Sequence, residues 1–67
     1  MEAYKVKKGT IVVVTDDSIK TPPASTPVNK GDIITINSID GAYCNGVNEN
    51  GDRIYIAACA EVEIVNN

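Results

Sequence analysis

Apolar residues along this chain fall in short blocks separated by turn-forming residues, a pattern of strands rather than helices. Thr10–Val14 is the first block. It is continuously apolar from Ile11 to Val14, as a strand covered on both faces would be. Asp16-Asp17-Ser18 ends it. Residues 18–27, Ser-Ile-Lys-Thr-Pro-Pro-Ala-Ser-Thr-Pro, read as a long loop, because Pro22, Pro23 and Pro27 forbid both a helix and a central strand. Lys30-Gly31-Asp32 is a turn. Ile33–Ile36 is the second strand, with Ile34 and Ile36 on one face and Ile33 and Thr35 on the other. Asp40-Gly41 signals a tight turn. Residues 42–47 form the third strand, where Gly46 marks a bulge or a close approach by another backbone. Asn48-Glu49-Asn50-Gly51 is a hairpin turn, with Asn50-Gly51 its strongest signal. Arg53–Ala57 alternates as the fourth strand. Ala58–Glu61 predicts a short helical or 3₁₀ turn, and Val62–Val65 the last strand, after which Asn66 and Asn67 fray. A turn at Asn48–Gly51 sets Tyr43 opposite Ile56 and Cys44 opposite Tyr55. The two tyrosines then project to opposite faces, with Tyr43 the exposed one.

Composition strengthens the strand reading. Nine Ile, eight Val and five Thr make up 22 of 67 residues, and there is no Leu, Phe, Trp or His. β-Branched side chains lose rotamer freedom in a helix and fit a pleated strand. The length permits a single domain, and no repeat, linker or low-complexity stretch divides it. The expectation is an all-β domain over residues 1–67, with a short basic segment at 1–8 and a five-stranded barrel at 10–65. So small a sheet hides its edges best by curling on itself.

Charge narrows the partners. The net charge is −3, unevenly spread: Lys5, Lys7 and Lys8 against Glu2 leave residues 1–8 at +2 and the remainder at −5. An acidic body is poorly suited to tracking phosphates. The lysine cluster reads as a solvated basic start, with contact to a nucleic acid or anionic lipid as the alternative. No secretory signal pattern is present, and no apolar run nears the roughly 20 residues that span a bilayer. The expected compartment is therefore the cytoplasm, with reduced thiols.

The residues offer little for catalysis. Cys44 and Cys59 form no CxxC pair, and without His they cannot complete a zinc site. No His stands ready to activate a thiolate, so both cysteines read as packing residues. Asn48-Glu49-Asn50-Gly51-Asp52 has calcium-ligand residue types without EF-hand spacing. The expectation is no enzyme, no metal and no cofactor.

The order of elements resembles the SH3-like barrel. The resemblance is carried by Lys30-Gly31-Asp32-Ile33-Ile34 after a long loop, Asp40-Gly41 shortly before an aromatic, and Gly46. It continues through Gly51, Tyr55-Ile56-Ala57-Ala58 and the closing Val62, covering residues 10–65. It implies a five-stranded SH3-like barrel with a possible 3₁₀ turn before the last strand. It also implies the family's proline-rich-peptide groove, which is lined by aromatics. Carried over position by position, the first-strand tyrosines fall at Val14 and Asp16, and the platform tryptophan at or beside Tyr43. The groove proline falls at Ala57 and the later tyrosine at Ala60, while Asp16 and Asp17 keep the acidic loop positions. With one aromatic left, the groove does not grip proline-rich ligands in the usual way. The chain's own prolines lack the three-residue polyproline spacing.

The functional expectation is accordingly a non-enzymatic protein-binding domain. The proline-stiffened loop and its neighbours are the contact surface: Asp16, Asp17, Ile19, Lys20, Pro22, Pro23, Asp40 and Tyr43. Asp16, Asp17, Asp40, Asp52 and Glu49 sit on loop tips, where they either meet a basic partner or serve turn chemistry and solubility. The Ile- and Asn-rich composition resembles that of small host-directed bacteriophage proteins, which implies binding, then inhibition or redirection, of a bacterial protein. Two alternatives stand beside this reading. One is nucleic-acid binding through Lys5, Lys7, Lys8, Lys30 and Arg53. The other is a structural subunit that pairs through its sheet edge or N-terminal segment. A monomer without membrane attachment is favoured.

Overall fold

A computed structural model describes residues 1–66. The five expected strands are present: β1 (Ile11–Val14), β2 (Ile33–Asp40), β3 (Tyr43–Asn48), β4 (Arg53–Ala57) and β5 (Val62–Asn66). They form one antiparallel sheet in the order β4-β3-β2-β1-β5. The end strands β4 and β5 are not neighbours in the ladder, so the sheet is open. Asn66 closes β5 opposite Ile11, against the expected fraying, while Asn67 lies outside the described residues.

β2 is twice the expected length. Past Ile36 its alternation breaks at Asn37, the extra residue of a bulge between Ile36 and Ser38. Ile36 faces Gly46 before the bulge, and Ile39 faces Cys44 after it. The bulge bends the strand and lets one face continue across the irregularity. A second shift, at Val65, separates the pairs Val12–Ile64 and Ile11–Asn66.

One face of the sheet holds the core. Val12 and Val14, Ile34 and Ile36, Cys44, Ile54 and Ile56, and Val62 are all buried there. Each fully buried Val or Ile contributes roughly 1.5–3 kcal/mol. Among the described residues no polar or charged side chain is buried. The fully apolar β1 is buried on one face and half-buried on the other, where Ile11 and Val13 lie.

The core also draws in residues outside the strands. Ala3 and Val6 are buried, so the basic start is part of the fold rather than a solvated arm. A 3₁₀ helix spans Ala3–Lys5. Ala3 and Tyr4 donate backbone hydrogen bonds of 2.9 Å to the carbonyls of Ala60 and Ala58. Glu2 bridges to Glu61. The 3₁₀ turn expected at Ala58–Glu61 is therefore at the other end of the chain. The β4–β5 connection is a single turn closed by Ala60 N–H to the Ala57 carbonyl, because its next amides pair elsewhere. Val28, late in the long loop, is buried as well.

Gly46 is the tightest point of the sheet. A Cβ there would collide with the Thr35 carbonyl oxygen and come within 2.9 Å of the carbonyl carbon. Both are backbone atoms in the neighbouring strand and cannot swing aside. Gly46→Ala is expected to destabilise the domain by about 2 kcal/mol or more, read from urea unfolding.

Candidate functional site

The β3–β4 hairpin decides where the aromatic residues go. Its turn runs from Asn48 to Asp52, one residue longer than expected. The Asn48 Oδ1 accepts the N–H groups of both Asn50 (2.9 Å) and Asp52 (3.0 Å). Gly51 takes the left-handed conformation the turn requires (φ 85°). The pairing is therefore Tyr43–Ala57, Cys44–Ile56 and Asn45–Tyr55. A shift of one residue moves every side chain to the other face. Tyr43 and Tyr55 share the outer face of the hairpin, contrary to the expectation of opposite faces, and both are half-buried.

The long loop folds over this face and is held at several points. The Asp16 carboxylate accepts the Ser18 N–H (2.9 Å) and, across the fold, the Glu61 N–H (3.1 Å). Those amides, Glu61 first, hold its carboxyl below the usual range. Asp17 pairs with Lys30 at 2.6 Å, which raises the lysine. Ile19 packs against the core. The Lys20 carbonyl accepts the Ala57 N–H at 3.2 Å, on the outer edge of β4. Beyond these anchors, Pro22–Ser25 forms a tight turn in which the Ser25 N–H and hydroxyl both donate to the Pro22 carbonyl. Ala24 sits in the left-handed region (φ 65°), the one non-glycine residue among those described that does so. A side chain there is strained and persists because its surroundings hold it.

Between loop and hairpin lies a cleft of about 420 Å³. Pro22, Pro23, Ala24 and Ser25 form one wall, and Asp40, Tyr43 and Tyr55 the other. Concave apolar surface with few polar groups is the usual form of a binding site. Three ion pairs join described residues, Met1–Glu61, Glu2–Lys5 and Asp17–Lys30, and Asp40 takes part in none of them. Asp40 thus offers a free carboxylate at the rim.

Four of the eight expected contact residues, Pro22, Pro23, Asp40 and Tyr43, line the cleft. Asp16, Asp17, Ile19 and Lys20 instead hold the loop in place. Ala24 and Ser25, within the expected loop but not singled out, and Tyr55, not among the expected contact residues, also belong to the cleft. The signal for Tyr55 lies in the burial pattern. Only a register that sets Cys44 across from Ile54 or Ile56 puts all three in the core, and it carries Tyr55 outward with Tyr43.

The remaining candidates are simpler. Cys44 is fully buried, which pushes its thiol pKa up, while Cys59 is exposed and free. Among the described residues no group of three or more Cys, Asp and Glu is placed to hold a metal ion. Asp32, Glu49 and Asp52 border a second, polar hollow apart from the tyrosines, where Asp32 also accepts the Asn29 N–H. Lys30 is tied to Asp17 and Lys5 to Glu2. No described helix is long and apolar enough to cross a membrane. Compared with models of known protein families, with curated proteins and with solved structures, the chain matches none.

Two outcomes follow from how the loop is held. Ala24→Gly is expected to stabilise the domain by about 1 kcal/mol in thermal or urea unfolding, by releasing the left-handed strain. Asp16 has a lowered folded pKa, so its contribution is present above the ordinary carboxylate range and is lost as pH falls through the lowered value. Between about pH 5 and pH 2 the melting temperature is expected to fall less in Asp16→Asn than in the parent.

Proposed function

We propose that this chain is an SH3-like barrel domain that binds a protein partner, without catalysis, through the cleft between the Pro22–Ser25 turn and the β3–β4 hairpin. The observation that carries this reading is the cleft itself. It joins two tyrosines on a paired strand scaffold to a proline-stiffened loop fastened before the partner arrives. Tyrosine offers large contact area at low entropic cost, and a loop already ordered loses little more on binding.

The strand order, the bulged β2 and the long loop between β1 and β2 support the SH3-like part of the proposal. The cleft differs from the groove the resemblance implies. The position of the groove tyrosine is Ala60, which is 2% exposed and serves the core. Tyr43 keeps the platform position, and Tyr55 supplies the second aromatic from β4. The ligand suited to such walls is an extended protein segment with an apolar side chain between the tyrosines and the prolines. A positive charge toward Asp40 completes the fit. The compositional likeness to small phage proteins names a bacterial protein as the partner to look for.

Affinity capture from bacterial lysate tests the reading. The parent chain is expected to retain a stoichiometric partner. Tyr43→Ala and Tyr55→Ala are each expected to weaken that complex about tenfold or more, as truncation of a central aromatic does. Both are partly exposed positions, so each variant is expected to remain folded by circular dichroism. Capture of no partner, or a complex indifferent to both substitutions, overturns the proposal.

A further inference from the structure

β5 forms one end of the sheet, and its outer edge is only half covered. Val62 turns its N–H and C=O outward, and both are taken by Met1, at 2.8 and 2.9 Å. The next outward-facing residue on the same edge is Ile64. It pairs with Val12 of β1 in the same sense as Val62 pairs with Val14. Among the described residues its N–H and C=O have no backbone partner on that side.

The Ile64 side chain deepens the contrast. It projects to the core face, as Val62 does, yet it is 43% exposed where Val62 is fully buried. Beside it opens a cleft of about 380 Å³, bordered by Ile64 on one side and by Lys5, Val6, Lys7 and Thr10 on the other. Val65, the bulged residue, is 53% exposed. Natural sheets commonly blunt a free edge with charge, proline or a covering segment. Here the backbone pairing of Met1 covers Val62, and an apolar side chain marks the edge beyond it.

Charge indicates the occupant. Of the two lysines that border this cleft, Lys5 is engaged by Glu2, but Lys7 takes part in none of the ion pairs among described residues. The core-face side of the edge is therefore basic. A second copy of this chain is a poor fit. Its own β5 edge is taken by Met1 at Val62 in the same way, so two copies could pair only around Ile64, too short a stretch to hold them together. We propose that the Ile64 edge of β5 accepts an extended, acidic segment of another protein by strand addition. Backbone pairing runs to Ile64, an apolar side chain enters the cleft beside Ile64 and Val6, and a flanking carboxylate meets Lys7. Main-chain pairing supplies affinity in this mode, and the alternate side chains supply choice. The site is separate from the tyrosine cleft and does not depend on it.

Selection from a random dodecapeptide library on phage, against the full chain with no added N-terminal residues, tests the proposal. The enriched peptides are expected to alternate apolar with acidic residues. A synthetic peptide of the enriched sequence is expected to slow amide hydrogen exchange at Ile64. Ile64→Asp and, as a surface change that leaves the core intact, Lys7→Glu are each expected to weaken it about tenfold. Tyr43→Ala is expected to leave its affinity unchanged, which separates this site from the cleft. The proposal is overturned by failure to enrich any peptide, by enriched peptides lacking acids, or by binding that leaves Ile64 exchange unchanged. Protection of Ile64 that rises with protein concentration alone also overturns it and assigns the edge to a second copy.

Discussion

A five-stranded sheet with no α-helix to cover it must hide its apolar face against itself. Several unusual features of this chain answer that requirement. β2 carries a bulge at Asn37, and its Ile34 and Ile36 share one buried cluster with Ile54 and Ile56 of β4. The neighbouring strand comes so close that Gly46 has no room for a side chain. The residues before β1 fold back so that Ala3 and Val6 fill what the strands leave open, and Val28 does the same from the loop. A core of Ile and Val, without Leu or Phe, suits such a single sheet. Short, stiff side chains pack a shallow curved layer without needing depth.

The outline of this fold was legible because it rests on local alternation. β4 lies where Arg53–Ala57 alternates, and the other strands begin within a residue of their apolar blocks. What alternation could not convey was register. Asn48 accepts two amides and lengthens the turn by one residue, and that residue puts both tyrosines on one face. The bulge at Asn37 concealed half of β2, since Ser38 and Asp40 give no apolar rhythm beyond it. The role of residues 1–6 was hidden for a different reason. Ala3 and Val6 are two apolar residues among charges, and the backbone bonds that dock their segment, Ala3 to Ala60 and Tyr4 to Ala58, reach more than fifty positions along the chain.

The cleft was half legible for the same cause. Proline and loop length pointed to Pro22 and Pro23, and turn chemistry to Asp40. Asp16 and Asp17 looked alike as exposed acids. The fold uses Asp16 as an acceptor for two backbone amides and Asp17 as the partner of Lys30. Whether such a carboxylate fastens the loop or stays free depends on which amides and cations the tertiary structure brings near.

The strand order also sets a sequence of events. β2, β3 and β4 are joined by two short turns and pair with their neighbours in the chain, so they can zip together early. β1 is different. It lies between β2, reached across the long loop, and β5, the last strand in the chain. Val12 and Val14 therefore have no complete neighbourhood until Val62 and Ile64 arrive. On the ribosome that moment comes only once β5 has cleared the exit tunnel. Until then β1 can pair on its β2 side alone, and its other edge stays open along the nascent chain.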